Sequence, residues 1–147
     1  GISWGPIGCA RACLQQLIEY TGTRELFGRP LSHTQLIQAR LAEMARRITT
    51  AQLLALQLGQ LKEAGSMTPA QVSLAKWNNC RMALDVARDC RDMLGGAGIS
   101  ADTPLAAMYA WHRAMRIFDG PDEVHLRSIG RHELRTPPRF DTGGSHA

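Results

Sequence analysis

Apolar residues recur along this chain at spacings of three and four, the period of an amphipathic helix. The alternation that marks a strand is nowhere sustained. The clearest case is the stretch ending in KWNNCRMALDVARDCRDMLGGAGIS, where two apolar rows run side by side. One is Val72, Ala75, Asn79, Met82, Val86, Cys90, Met93; the other is Trp77, Cys80, Leu84, Ala87, Arg91, Leu94. Two stripes require neighbours on two sides, so this helix is expected at the centre of a bundle. Thr68-Pro-Ala-Gln71 opens it with capping-box spacing and a proline in the first turn. Gly95, Gly96 and Gly98 close it, either as a C-cap and turn or as a loop that lets a ligand approach the backbone.

The remaining elements follow from the same pattern. A first helix is predicted from Trp4 to about Tyr20, with Ile7, Ala10, Cys13 or Leu14, Leu17 and Ile18 on one side. A second starts at Ser32-His-Thr-Gln35, again with capping-box spacing, and carries Ile37, Leu41, Met44, Ile48, Ala51, Ala55 and Leu58 in a regular rhythm as far as Gly65. A fourth begins at Thr103-Pro104 and runs through Leu105, Met108, Trp111 or His112 and Met115. A short fifth covers Pro121 to Leu134 through Val124, Leu126 or Arg127 and Ile129. The fold class is therefore all-α: an up-and-down bundle of four long helices plus a short C-terminal one, with Ile48, Met82, Leu84 and Val86 in its core. Residues 1–135 form the helical domain. Residues 136–147, with prolines, glycines and no periodicity, read as a flexible tail.

Composition narrows the function classes. The 147 residues suit one domain, and no apolar run approaches the roughly 20 residues of a membrane span. The formal charge is +4, and fifteen of the seventeen basic residues are arginines spread along every segment. Nucleic-acid binding would call for a clustered stripe interleaved with aromatics, which are scarce. Cys9, Cys13, Cys80 and Cys90 sit inside helical patterns without zinc spacing, as buried thiols of a reducing compartment do. The opening Gly-Ile-Ser-Trp-Gly-Pro has no secretory pattern, and a start on glycine reads as a fragment boundary.

Few groups offer chemistry. Asp119 stands between Ile117-Phe118 and a Gly-Pro turn, either as a desolvated carboxylate or as a cap for the helix beginning at Pro121. Phe27, in a loop rich in turn residues, either plugs a core edge or stacks on a ligand. His112 and His125 are isolated and read as structural, and no metal-ligand spacing is present.

Several motifs in order give a sharper reading. Trp4-Gly5, Arg24-Glu-Leu-Phe27-Gly28-Arg29-Pro30-Leu31, Gln35-Leu-Ile-Gln38, Leu41-Ala-Glu-Met44, Leu58-Gly59-Gln-Leu61-Lys62, Lys76-Trp-Asn78-Asn79-Cys80, Ala83-Leu84-Asp85 and Arg91-Asp-Met-Leu-Gly-Gly-Ala-Gly-Ile-Ser100 cover most of residues 1–100. Over that span the chain resembles the C-terminal helical domain of the flavin-dependent acyl-CoA dehydrogenases, in particular the glutaryl-CoA dehydrogenase branch.

That resemblance implies a specific site. Arg24 and Phe27 match the Arg-x-x-Phe-Gly motif that contacts the adenosine-diphosphate portion of FAD, and Gln35 a glutamine near it. Asp92, Gly95 and Gly96 match the segment that meets the flavin of a neighbouring subunit, in a site shared across an interface. After Ser100 the chain departs from the glutaryl pattern. Where the family carries Tyr-Glu-Gly-Thr, this sequence has Phe118-Asp119-Gly120-Pro121, which places Asp119 at the position of the catalytic base. The implied partners are an acyl-CoA substrate, further copies of the chain in a homo-oligomer, and an electron-transfer acceptor. The implied setting is the cytoplasm or a mitochondrial matrix. The family's amino-terminal helical and middle β-domains lie outside this sequence, so the isolated domain is expected to be inactive and to hold FAD weakly or not at all. The alternative is a non-catalytic oligomerisation or interaction bundle derived from the same family.

Overall fold

The computed structural model describes residues 2–135. These form six helices, with a small hairpin and a 3₁₀ turn between the first two: α1 (Gly5–Thr23), β1 (Glu25–Leu26), β2 (Arg29–Pro30), the 3₁₀ turn Leu31–His33, α2 (Gln35–Glu63), α3 (Pro69–Leu94), α4 (Gly96–Ile99), α5 (Leu105–Met115) and α6 (Asp122–Arg135). The expected tail, 136–147, lies outside the described residues.

α3 is the axis of the bundle and packs against α1, α2, α5 and α6. Its start is the predicted capping box: the Gln71 amide donates to Thr68 Oγ1 at 3.3 Å, and the Thr68 amide donates to Gln71 Oε1 at 2.8 Å. Its end is Gly95, at φ +58° and ψ −128°, a backbone conformation that a side chain would strain. Between them Ala75, Asn79, Met82, Ala83, Leu84, Val86, Ala87, Cys90 and Leu94 are buried, so both apolar rows are used. Met82, Ala83, Val86, Ala87, Cys90 and Leu94 meet Ile7, Ala10, Cys13 and Leu17 of α1 and Met44, Ile48, Ala51 and Ala55 of α2 in one core.

Contacts along the axis fix direction. The side-chain amide of Asn79 donates to the carbonyls of Ser3 at 3.0 Å and Ala51 at 3.3 Å. Further along, Cys90 Sγ meets Met44 Sδ at 3.7 Å, and Arg47 pairs with Asp89 at 3.1 Å. α2 therefore runs antiparallel to α3, and α1, with Ser3 at Asn79 and Cys13 beside Cys90, runs parallel to it. Cys13 Sγ lies 3.5 Å from Met108 Sδ and Gly5 lies against Met115, so α5 is antiparallel to α1. One end of the bundle holds the end of α1, the start of α2 and the end of α3. The other holds Ser3, the start of α3 and the α5–α6 turn.

Four local expectations are corrected. Ser32 does not cap α2: it lies in the 3₁₀ turn, and Thr34 precedes the helix without a side-chain cap. A strand pair exists where none was expected, with Glu25 opposite Pro30 and Leu26 opposite Arg29. The fourth helix is short, because the chain tightens after Met115 through bonds from Arg116 N to the Arg113 carbonyl and from Ile117 N to the Ala114 carbonyl. On α6 the inward positions are Asp122, His125, Ser128, Ile129 and His132, while Val124, Leu126 and Leu134 are exposed.

Candidate active site

At the first end, α1 stops at Thr23 and the Arg24 amide closes the last turn on the Tyr20 carbonyl at 2.8 Å. Phe27 and Gly28 then take φ +52° and +79°, a consecutive left-handed pair that reverses the chain in a two-residue hairpin turn. The Leu31 amide returns to the Arg24 carbonyl at 2.9 Å. This geometry projects Phe27 outward, 95% exposed, so it plugs no core edge. Arg24 is exposed and makes no ion pair among the described residues, and Gln35 is exposed at the first position of α2.

The end of α3 lies at the same level. From the Met44–Cys90 and Arg47–Asp89 contacts, antiparallel register carries Gln35 to the height of the Gly95–Ile99 corner. A Cβ on Gly95 or Gly96 would meet nothing within 4 Å, so the backbone there is open to approach. Gly98 is closed in, and its carbonyl accepts from Arg91 Nε at 3.1 Å. The Arg91 guanidinium also lies 4.4 Å over the Tyr109 ring. Asp92 is exposed on the last turn of α3. The fold thus gathers Arg24, Phe27, Gln35, Asp92, Gly95 and Gly96 at one end. An unpaired guanidinium, an uncovered aromatic and an open glycine corner fit a ligand with a diphosphate and a flat ring.

Asp119 stands apart from them. Gly120 is bonded to Lys76, and nineteen residues of α3 at about 1.5 Å each separate Lys76 from Gly95, roughly 28 Å. Asp119 has φ +54°, Gly120 φ +94°. The Asp119 carboxylate is exposed and caps nothing; the first turn of α6 closes on the Pro121 carbonyl. Its backbone, by contrast, is held. His125 Nε2 lies 3.3 Å from the Asp119 carbonyl, and His125 Nδ1 lies 3.2 Å from Ser73 Oγ. Both contacts are satisfied by the Nε2–H tautomer, which donates to the carbonyl and accepts from the serine. Phe118 packs on Trp111 with ring centroids 5.9 Å apart. Arg116 Nε donates to the buried carboxylate of Asp122 at 2.6 Å.

Sequence reasoning missed Lys76, the Arg116–Asp122 pair and the part played by His125. Lys76 left a signal. It sits three residues before Asn79 and four before Cys80, both buried, so a lysine was facing inward. His112 rather than Trp111 is the buried partner on α5. Its Nδ1 bonds the Met108 carbonyl, Nε2 has no partner, and burial pushes its pKa down.

Comparison with known proteins settles the family. The model of the acyl-CoA dehydrogenase C-terminal domain matches residues 1–134. This chain belongs to that family. A probable acyl-CoA dehydrogenase, FadE2 of Mycobacterium tuberculosis, is 42% identical over 130 residues, which take in 87% of this chain and 32% of that protein. Acyl-CoA dehydrogenase family member 11 of Gallus gallus is 38% identical over 130 residues, 87% of this chain and 17% of the relative. The glutaryl-CoA dehydrogenase of Mycobacterium smegmatis, solved in complex with FADH2, superposes with a TM-score of 0.88 at 38% identity, covering 95% of this chain and 36% of that one. The chain spans about a third or less of the length of these relatives. The all-α fold and the glutaryl-like resemblance agree with these matches.

Proposed function

We propose that this acyl-CoA dehydrogenase domain works as the C-terminal part of a longer flavoenzyme that removes two hydrogens from the α and β carbons of an acyl-CoA thioester, with Asp119 as the base. The observation that carries this reading is the contrast at residues 118–121: the backbone is held from two helices while the carboxylate stands free. Positioned bases are built this way, fixed in place yet available to substrate. FAD, when bound, supplies the acceptor for the β-hydride. Arg24 would hold its diphosphate, Phe27 would stack on it, and Gln35, Asp92, Gly95 and Gly96 would line the approach. Asp119 would take the α-proton.

The span of roughly 28 Å between the two groups of residues supports a cofactor site shared between copies of the chain, each serving one copy with Asp119 and another with the Arg24–Gly95 end. Leu36, Leu53 and Leu56, exposed along α2, suit burial in such an assembly. An electron-transfer acceptor closes the catalytic cycle. Among the described residues no helix is long and apolar enough to cross a membrane, which accords with an enzyme of the cytoplasm or a mitochondrial matrix.

The test is Asp119→Asn in the full-length flavoenzyme, mixed with saturated acyl-CoAs from butyryl to palmitoyl. The parent flavin should bleach with at least one of them. The variant should bleach about 10²–10⁴-fold more slowly. Asp119→Glu should hold or raise the rate if reach is limiting. Bleaching of Asp119→Asn at the parent rate would place the base elsewhere.

The exposed apolar row on α2 also suits a second reading, a bundle that serves only assembly. Stoichiometric yellow flavin retained by the full-length protein through gel filtration decides against that reading.

A further inference from the structure

We propose that Lys76 is a positioning residue for the Asp119 base, acting with His125 to lock the two consecutive left-handed residues that present the carboxylate. The inference rests on the reading of Asp119 as the base.

Lys76 lies on the core side of α3, 2% exposed, and its Nζ donates to the Gly120 carbonyl at 2.8 Å across 44 positions of sequence. Burying an amine is costly unless it is bonded, and a leucine or methionine would fill the same space without that cost. What only lysine supplies here is a donor at the end of a four-carbon stem, long enough to reach from inside the bundle to the underside of the turn. His125 grips the preceding carbonyl, that of Asp119, from α6, and is itself tied to Ser73 on α3. Neighbouring carbonyls at 119 and 120 are thus held from two helices.

The hold has a reason in the backbone. Asp119 at φ +54° and Gly120 at φ +94° occupy a region that the chain leaves readily when unrestrained. A Cβ at Gly120 would stand 2.9 Å from His125 Nε2, so any larger residue there would displace the histidine that holds the turn. Aspartate has the shortest stem of the carboxylates, so the position of its Cα sets its reach. A displacement of about 1 Å at a reacting group can cost on the order of 100-fold in rate. Lys76 touches no substrate in this arrangement; it acts through Gly120.

The experiment uses the full-length flavoenzyme and an acyl-CoA that bleaches the parent. Lys76→Met removes the donor and keeps the length. The rate of flavin reduction should fall about 10–100-fold, with the KM for acyl-CoA and the FAD content within about twofold of the parent. The loss should be smaller when Lys76→Met is made in an Asp119→Glu background, because the longer stem restores reach. A merely structural lysine would not produce that dependence. Should Lys76→Met not fold, His125→Gln, at a half-buried site, carries the test and should lower the reduction rate with KM unchanged. Asp119→Asn is run alongside. If it is inactive while Lys76→Met, or in its place His125→Gln, reduces flavin at the parent rate, the positioning role is overturned and the base stands. If Asp119→Asn itself keeps the parent rate, the base reading fails and takes this inference with it.

Discussion

The carbonyl oxygen of Arg91 occupies the space where a side chain on Gly98 would begin. Arg91 holds Gly98 from both sides, since its own Nε donates to the Gly98 carbonyl at 3.1 Å. The corner after α3 is therefore closed at Gly98 and open at Gly95 and Gly96.

Gly98→Ala should accordingly be costly where Gly96→Ala is not. Position 98 must shift backbone against backbone, an overpacking that typically costs about 1–3 kcal/mol. Position 96 has free space and an ordinary φ, so its stability should stay within about 0.5 kcal/mol of the parent. Urea unfolding of the two variants checks the difference.

Arg24→Gln and Phe27→Ala test the proposed cofactor end. Both side chains are exposed and carry no packing, so stability should change by no more than about 0.5 kcal/mol. Affinity of the full-length enzyme for FAD should fall by at least about tenfold for Arg24→Gln, the loss of one charge-assisted contact. Titration of apoenzyme with FAD measures this, and an unchanged Kd for both variants would remove these residues from the site.

His112 makes stability depend on acid. Its pKa is lowered from 6.5 by burial, and protonation would add an N–H at Nε2, where no acceptor waits. The unfolded chain binds that proton more readily than the folded one. The stability it contributes is complete above pH 6.5 and is lost as pH falls through 6.5 toward the lower folded value. Thermal unfolding between pH 7.5 and 5 should show a drop in midpoint that His112→Gln reduces.

The cysteines should divide by burial. The Cys13 thiol is pushed up to about 12, and Cys80 and Cys90 are raised as well, in each case chiefly by desolvation. Thiolate is the reactive form, so iodoacetamide at pH 8 should label half-buried Cys9 alone in the native protein. The other three should react only in denaturant. Peptide mapping of native labelling at Cys80 or Cys90 would contradict the packing of α3.

The sequence by itself determined α3: its cap at Thr68 and Gln71, its glycine stop and its central place are set by residues three and four apart, which meet on a helix whatever surrounds it. The buried rhythm of α2 through Met44, Ile48, Ala51 and Ala55 was legible for the same reason. The segments that resemble the family's cofactor motifs stand out because each is contiguous; that they share one end of the bundle follows from helix order. The tertiary structure alone decided the rest. Ser32 and Gln35 have the spacing of Thr68 and Gln71, yet no box forms, because the Leu31 amide is bound to the Arg24 carbonyl and the segment is turned into a 3₁₀ turn. His112 is inside and Trp111 outside although hydrophobicity ranks them the other way, since the histidine satisfies its donor on its own helix and the tryptophan packs on Phe118. α6 turns His125 and His132 inward and leaves Val124 and Leu134 out, because its partner on α3 offers Ser73 at that face. The environment of Asp119 was least legible. Its carbonyl hold comes from His125, six residues away, and that of Gly120 from Lys76, 44 positions earlier, a pairing no local period encodes.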